Sequence, residues 1–219
     1  MVIRRITFSL VALALLAMPA SAAAKPKHKP LTCYAHGAHT VADSAKVRVF
    51  RLAVPHRGTR AFGCLYETNR AHAITVPGDR LGLVRIAGTF VAYSVWTDET
   101  NLDPSAVPEG VDPTRQMPTT VNLFDANLGR TVSSFHSALQ NDDSSSEVYA
   151  LVVRDTGGFA WIGADDQAVE GVYKVDSSTG GTAAVLDQGP SFTQLHLRGN
   201  RLAWSRPGQQ PARGNARLL

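Results

Sequence analysis

The stretch VRIAGTFVAYSVW, from Val84 to Trp96, decides how the chain is organised. It consists of two short apolar runs with strand-like alternation, joined by a turn that contains Gly88. Alternation of this kind is typical of β-strands with a buried face. The turn, an apolar residue, Ala92 and the aromatic Tyr93 follow one another in that order. Because the same order returns elsewhere in the chain, the stretch predicts a repeated hairpin.

Each copy of the repeat is marked by one aromatic residue. DTGGFAWIG (Asp155–Gly163) and RGNRLAWSR (Arg198–Arg206) contain the turn, the Ala and a large aromatic residue, and KVRVFRL (Lys46–Leu52) is a looser copy. The marker residues are Phe50, Tyr93, Trp161 and Trp204. The first pair and the last pair are each 43 residues apart, and the middle interval is 68 residues. One unit therefore contains about 25 additional residues.

Composition indicates where the additional residues lie. Asp98–Pro118 is rich in Pro and acidic residues and Gln140–Glu147 is polar, so both are interpreted as loops. A second landmark lies 15 residues after the marker, at Leu65 and Asp176, with Asp125 as the counterpart in the second unit. Four residues beyond these landmarks the chain has residue types that tolerate positive φ in hairpin turns: Asn69, Gly129 and Gly180.

A period of about 43 residues, built from short alternating strands and turns, is typical of repeated four-stranded sheets. Helical periodicity is nearly absent after the N-terminus. We therefore predict an all-β, β-propeller-like domain of about four small antiparallel sheets over residues 38–219, with a loop insertion at 98–118. A seven-stranded β-sandwich is the alternative.

The last unit is predicted to be incomplete. The landmark offset applied to Trp204 lands on Leu219, so Ala216–Leu219 would end a third strand and leave an open sheet edge. Leu31–Gly37 could close a ring by pairing with that edge. Because Cys33 is expected to be tied to the first unit, we instead predict an open ring with a locally attached N-terminal segment.

The segments AGTFVAYSV, VNLFDANLGR, VYKVDSSTGG and GNRLAWS resemble the blades of secreted bacterial TolB-like or WD-repeat-like propeller proteins. The resemblance extends from about Thr40 to the C-terminus. It implies a propeller scaffold that serves in binding or assembly, and a member without assigned activity. The chain is shorter than such propellers usually are.

The N-terminus has the three parts of a cleaved secretory signal in residues 1–24: basic Arg4 and Arg5, an apolar run over Ile6–Met18, and the small residues Ala20–Ala22. This predicts a secreted or extracytoplasmic protein. Residues 25–37 are interpreted as a basic, Pro-rich spacer and N-terminal segment. No later segment approaches the roughly 20 apolar residues of a membrane-spanning helix, so no membrane span is expected.

Charge gives weak information about partners. The chain has 22 Lys and Arg against 18 Asp and Glu, and loss of Arg4 and Arg5 would leave 20 against 18. The arginines are scattered singly, whereas nucleic-acid binding requires clustered positive charge, so no nucleic-acid partner is expected. The one cluster, KPKHKP at Lys25–Pro30, is either a solvated spacer or an envelope-binding segment.

The two cysteines, Cys33 and Cys64, predict one disulfide, because an exported chain enters an oxidising compartment and an even count leaves no thiol over. A metal-binding or nucleophilic pair is the alternative. Neither cysteine lies in a CxxC motif, and two cysteines supply only half of a zinc site.

No catalytic motif is present: the chain contains neither GxSxG nor HExxH, so no catalytic residue, metal or cofactor is predicted. His36 and His39, beside Cys33, form the nearest thing to a metal site. Two acidic groups lack calcium-loop spacing and are interpreted as solvated loops: Asp98, Glu99 and Asp103, and Asp165, Asp166 and Glu170. The four marker aromatics could form a sugar-stacking ladder, but packing between sheets is the preferred interpretation.

The sequence therefore predicts a secreted, non-enzymatic binding or interaction module for an unidentified envelope or extracellular protein or glycan. Loops such as Asp98–Pro118 would carry the contacts, since loops on a rigid scaffold usually carry function. The alternative is an extracellular hydrolase or lyase that acts on a glycan or peptide. That activity would require carboxylates from different units to converge in one pocket.

Overall fold

The structure is a computed structural model that describes residues 30–55, 58–96, 119–137, 147–164, 169–176, 181–207 and 213–219. These residues form 15 strands and no helix. The strands are β1 (His39–Asp43), β2 (Val47–Val54), β3 (Gly58–Leu65), β4 (Arg70–Ala73), β5 (Arg80–Ala87), β6 (Phe90–Trp96), β7 (Thr120–Asp125), β8 (Arg130–His136), β9 (Glu147–Val153), β10 (Phe159–Ala164), β11 (Glu170–Val175), β12 (Ala184–Gly189), β13 (Gln194–Arg198), β14 (Arg201–Ser205) and β15 (Arg213–Arg217).

The strands form four antiparallel sheets in which chain neighbours pair. The first sheet has the order β1-β2-β3-β4, the second β5-β6-β7-β8, the third β9-β10-β11-β12 and the fourth β13-β14-β15. The first strands of successive sheets lie side by side, since β1 contacts β5, β5 contacts β9 and β9 contacts β13. The prediction of an all-β chain with four small sheets is confirmed, and the two-sheet sandwich is not seen.

The repeat register is also seen in the structure. Phe50, Tyr93, Trp161 and Trp204 lie in β2, β6, β10 and β14, the second strand of each sheet. The landmarks Leu65 and Asp125 end the third strands β3 and β7, and Asp176 directly follows β11. Each repeat therefore corresponds to one sheet, because a four-stranded meander with short turns uses about 40 residues.

The turns after β3 and β7 are built alike. Asn69 and Gly129 have φ values of 49° and 64°. Their amides donate to the carbonyls of Leu65 and Asp125, at 3.0 and 2.8 Å. Asn and Gly are the residues that adopt this conformation at least cost, so the turn chemistry predicted from sequence is present in both hairpins. Gly180 lies outside the described residues.

Alternation along the second strands sends successive side chains to different cores. In β6, Tyr93 packs in the cluster between the first and second sheets, and Ala92 packs in the cluster between the second and third. In β10, Trp161 faces the second sheet and Ile162 faces the fourth. A strand buried on both faces loses the polar half of its alternation, which is why β10 is buried along its whole length.

Every marker aromatic faces the unit that precedes it in the chain. For Phe50 no sheet precedes, and the N-terminal segment Leu31–Ala38 takes that place. Leu31, Cys33, Ala35 and Ala38 pack with Phe50 and Cys64 in one cluster. The N-terminal segment therefore covers the face of the first sheet that ring closure would need.

The predicted disulfide is present in the structure. Cys33 and Cys64 are bonded, with their Cα atoms 5.4 Å apart. The Cys33 amide also donates to Oδ1 of Asn69 at 3.0 Å, and the Ala71 amide donates to the Leu31 carbonyl at 2.8 Å. These bonds tie the N-terminal segment to β3 and β4 rather than to β15.

No hydrophobic cluster of the described residues joins the fourth sheet to the first. The fourth sheet has three described strands, and Leu31–Gly37 forms no ladder with Ala216–Leu219. The described array is therefore open, as expected from the position of Cys33.

Several sequence-based predictions concern residues outside the described ranges. These are the signal at 1–24, the segment 25–29 and the insertion at 98–118. Among the residues that are described, no helix has the length and apolarity that a membrane crossing requires.

Candidate functional site

The outer surface of the fourth sheet, called here the end face, is uncovered by any described residue. Strand pairing places its side chains in cross-strand rows, Gln194 with Ser205, His196 with Ala203 and Asn215, and Arg198 with Arg201 and Arg217. The opposite surface of the same sheet carries Leu195, Leu202 and Trp204, which pack on the third sheet. The fourth sheet is thus apolar toward the array and polar away from it.

Three arginines form one row of the end face. Arg198, Arg201 and Arg217 are exposed and directly paired across β13, β14 and β15. Their guanidinium groups make no hydrogen bond or ion pair with a described residue, and the row contains no carboxylate. Like charges opposite one another in a sheet are destabilising, because their Cβ atoms are only about 5 Å apart. The arginine row therefore costs stability in the isolated chain.

This cluster corrects the sequence-based view that the arginines are scattered. Arg198 and Arg201 flank the turn at Gly199 and Asn200, and a two-residue hairpin turn places its flanking residues opposite each other. That local signal could have identified one pair. Arg217 lies 16 residues further on, and only the pairing of β14 with β15 brings it into the row.

The remaining polar groups of the end face are amides, an imidazole and a hydroxyl. Nε2 of His196 and Oε1 of Gln194 are 3.1 Å apart. Asn215 and Ser205 add an amide and a hydroxyl in the neighbouring rows. Ala203, at the centre, has the smallest side chain of the surface and leaves a shallow depression. The end face therefore offers hydrogen-bond donors around a concave centre.

A second concave surface, called here the inter-sheet cleft, lies where the first three sheets meet. It has a volume of about 720 Å³, within the roughly 300–1,000 Å³ typical of ligand pockets. Its charged and aromatic lining residues are Arg51, Asp79, Arg80, Trp96 and Glu147, with Thr119 beside them. The sequence analysis did not single out any of these residues, because they come from four separate stretches of the chain.

Two cleft residues are held by hydrogen bonds to the scaffold. The Arg51 guanidinium donates to the carbonyl of Leu81. Oδ2 of Asp79 accepts from the Val76 amide at 3.0 Å. Beside the cleft, burial chiefly raises the pKa of Tyr149, and the charge of Glu147 adds to the rise.

The marker aromatics are not a sugar-binding ladder. Phe50 and Trp161 are fully buried, and Tyr93 and Trp204 are exposed by 2% and 6%. Trp161 stacks on Tyr173, and its indole N–H donates to the Ser137 carbonyl at 2.9 Å. The interpretation as core residues is therefore confirmed.

The other candidate residues are spread over the surface or lie outside the description. His36 and His39 are exposed, and Cys33 is in the disulfide. Oε2 of Glu170 accepts from the Phe192 amide. Asp98, Glu99, Asp103, Asp165 and Asp166 are not described. Within the described ranges, no group of three or more His, Cys, Asp or Glu side chains could hold a metal ion.

Comparison with known proteins assigns no family. No protein-family model matches the chain, and no curated protein matches it. The TolB-like and WD-repeat-like resemblance therefore has no support at the level of sequence families.

Solved structures do match, among them the crystal structure of BamB from Moraxella catarrhalis. It is 12% identical, with a TM-score of 0.26, and the match covers 76% of this chain and 54% of that chain. The chain thus spans about half the length of that protein. At this similarity, the arrangement of the sheets rests on the contacts within the chain itself.

Proposed function

We propose that the protein is an exported, non-enzymatic binding module whose end face binds an acidic segment of an extracytoplasmic partner protein. The observation that carries this proposal is the arginine row, three exposed guanidinium groups without a counter-charge among the described residues. A surface that costs stability in the free protein is understandable when a partner supplies the missing charge.

The polarity of the end face argues against another sheet as its occupant. Where sheets pack on each other in this chain, both surfaces are apolar, as in the cluster of Ile162, Leu202 and Trp204. Covering the arginine row with an apolar surface would bury unpaired charge, which is strongly unfavourable. A partner for this face must therefore contribute anionic groups.

A polypeptide fits the end face better than a small anion. The surface extends over three strands and combines the arginine row with Gln194, His196 and Asn215, so it can contact an extended chain along several residues. Arg pairs with carboxylates through two parallel hydrogen bonds, and it is enriched at the energetic centres of protein interfaces.

The proposed interface is tested with a labelled probe peptide of alternating Glu and Ser, followed by fluorescence anisotropy. We expect binding that weakens with salt, because exposed charges are screened. The variant R198Q/R201Q/R217Q should bind at least about tenfold more weakly. The control R70Q/R85Q/R130Q removes the same charge from exposed positions on other sheets and should bind like the wild type.

Two outcomes would contradict this assignment. Equal losses in both triple variants would show a general attraction of charge rather than a site on the fourth sheet. Binding of a sulfated oligosaccharide through the arginine row, with no binding of the Glu-Ser peptide, would show that the partner is a glycan and not an acidic polypeptide.

Export is part of the proposal and has its own test. The predicted signal over residues 1–24 and the Cys33–Cys64 disulfide both favour an oxidising compartment. We expect the intact mass of the exported protein to correspond to a chain that begins near Lys25. A full-length product retained in the cytoplasm with reduced thiols would contradict export.

One observation favours the alternative of a glycan- or peptide-cleaving enzyme. Asp79 and Glu147 belong to different sheets and line the same inter-sheet cleft, which is the convergence of carboxylates that such an activity requires. Hydrolysis or elimination of an oligosaccharide that is lost in both D79N and E147Q would establish it. Unchanged substrate after prolonged incubation would support the binding module.

A further inference from the structure

The inter-sheet cleft contains the one tryptophan of the chain with an exposed side chain. Of the three tryptophans, Trp161 and Trp204 are core residues, whereas Trp96 is 37% exposed and lines the cleft. Trp96 is the last residue of β6, so a rigid strand holds its ring in place. An exposed indole at a concave surface provides a flat platform for the apolar face of a ligand.

An unsatisfied hydroxyl lies beside this platform. Val95 pairs with Thr120 at the end of the β6–β7 ladder, so Trp96 and Thr119 are the next residues of the two strands. Thr119 is only 4% exposed, and its Oγ1 has no hydrogen-bond partner among the described residues. Buried polar atoms are normally paired, and each exception requires an explanation. A ligand that hydrogen-bonds to Thr119 would supply it.

The charges around the cleft favour a ligand that is neutral and carries many hydroxyl groups. Two guanidinium groups, Arg51 and Arg80, and two carboxylates, Asp79 and Glu147, balance one another. Such a set can both donate and accept hydrogen bonds without preferring one sign of charge. A pyranose ring has a C–H face that stacks on an indole and a rim of hydroxyls that reach surrounding polar groups.

We propose that the inter-sheet cleft is a binding site for a neutral saccharide, with one sugar ring stacked on Trp96 and a sugar hydroxyl bonded to Oγ1 of Thr119. Arg51, Asp79, Arg80 and Glu147 contact the remaining hydroxyls. The site is separate from the end face, so it adds a second ligand to the proposed binding module and does not depend on the first.

The test uses the indole resonances of the ¹⁵N-labelled protein, one from each tryptophan. Neutral gluco-, manno- and chito-oligosaccharides are added at millimolar concentration. We expect at least one of them to shift the Trp96 indole signal in a saturable way and to leave the Trp161 signal unchanged. W96A should bind that oligosaccharide about tenfold or more weakly, as expected for a central aromatic anchor. Y34A, which removes an exposed aromatic ring elsewhere, should bind normally.

Thr119 provides a variant that separates binding from folding. Replacing an unpaired buried hydroxyl by a methyl group in T119V leaves no bond to lose, so the melting temperature should stay the same or rise. Saccharide binding should weaken severalfold in the same variant. A saccharide that binds T119V and W96A as it binds the wild type would overturn the proposal.

Two further results would also overturn it. One is the absence of any shift of the Trp96 signal with the whole oligosaccharide panel. The other is a saturable shift with a short neutral peptide in place of every saccharide, which would make the cleft a peptide site. Because the arginine row is tested with a different probe and different variants, either failure leaves the end-face proposal intact.

Discussion

Tyr93 shows how one polar atom stabilises the contact between two sheets. Its ring belongs to the core between the first and second sheets, and its hydroxyl donates to the Ile74 carbonyl at 2.8 Å. The Thr131 hydroxyl lies at the same distance on the other side. Burial raises the pKa of the phenol to about 12, from an ordinary value of 10.0. Tyrosine thus provides an apolar body and a bond that joins two sheets.

The first prediction concerns Y93F. Loss of the hydroxyl leaves the Ile74 carbonyl without this donor, so the free energy of unfolding should fall by about 1–2 kcal/mol near neutral pH. Urea unfolding measures the change. Y34F, at an exposed ring, is the control and should change stability little. No loss of stability in Y93F would show that water replaces the bond.

Tyr93 also predicts a dependence on alkaline pH. Its pKa is higher in the folded protein, so above about pH 10 the unfolded chain releases the proton and the folded chain keeps it. The free energy of unfolding should therefore fall as pH rises from about 10 to about 12. Because the pKa of Tyr66 is also raised, the measured quantity is the slope of wild type minus that of Y93F. Equal slopes would contradict the assignment to Tyr93.

At the scale of structural elements, the N-terminal segment acts as a cap on the first sheet. It covers Phe50, and the Arg48 guanidinium bonds to the Cys33 carbonyl and to the Thr40 hydroxyl. A segment with so few apolar residues does not pack firmly by itself, so a covalent bond compensates. The disulfide closes a loop of 31 residues.

We expect C33S/C64S to lower the free energy of unfolding by about 3–4 kcal/mol, because the unfolded chain loses a constraint. Chemical unfolding with and without reductant measures this difference, and reductant should have no further effect on the double variant. Intact-mass analysis after alkylation gives an independent check. Two reactive thiols in the native, unreduced protein would contradict the pairing.

The contact between the second and third sheets depends on Gly163. A Cβ atom there would overlap the Ser137 carbonyl oxygen, the same atom that accepts from the Trp161 indole. G163A must therefore move the backbone at Ser137 and weaken that bond. We expect a loss of about 1–3 kcal/mol in the free energy of unfolding and a changed near-ultraviolet signal of Trp161.

The control for this variant is G199N. Gly199 has a φ of 57°, a Cβ atom added there would meet no other atom within 4 Å, and Asn tolerates such a turn. Its melting temperature should stay close to that of the wild type. Equal destabilisation in both variants would show a general intolerance of glycine replacement rather than a close approach of two sheets.

At the scale of the whole molecule, the protein is an open array of sheets with two unlike ends. The first sheet is covered by the disulfide-bonded N-terminal segment, and the fourth presents the arginine row. Between them, each sheet buries both faces of its second strand on its neighbours. Stability in such an array is carried by interfaces between neighbouring units, so segments outside these interfaces should be dispensable.

The insertion at 98–118 is the clearest case of a dispensable segment. Val95 and Thr120 are paired, so the residues that flank the insertion already lie side by side. Replacing 98–118 by a short Gly-Ser link should change the free energy of unfolding by only about 1–2 kcal/mol, because closure costs about 0.6 kcal/mol per doubling of loop length. Thermal and urea unfolding measure the result. A cooperative loss of folding would show that the insertion belongs to the core.

The repeat, the strands and the turns could be predicted because their signals are local. A marker aromatic, an alternating run and a turn residue such as Asn69 each act within a few residues, so spacing alone indicated one sheet per 43 residues. The disulfide followed from the number of cysteines and the export signal. The core role of Phe50 and Trp161 followed from their fixed position in a strand.

The two proposed binding surfaces could not be predicted, because their residues meet only after the sheets form. Arg217 joins Arg198 and Arg201 through pairing between strands, and Trp96 meets Glu147 through packing between sheets. A scattered charge becomes a row only when strand register is set, and neither register nor sheet contact is visible in residue spacing. Local chemistry in the sequence therefore determined the sheets, and long-range packing alone decided which of their side chains face a ligand.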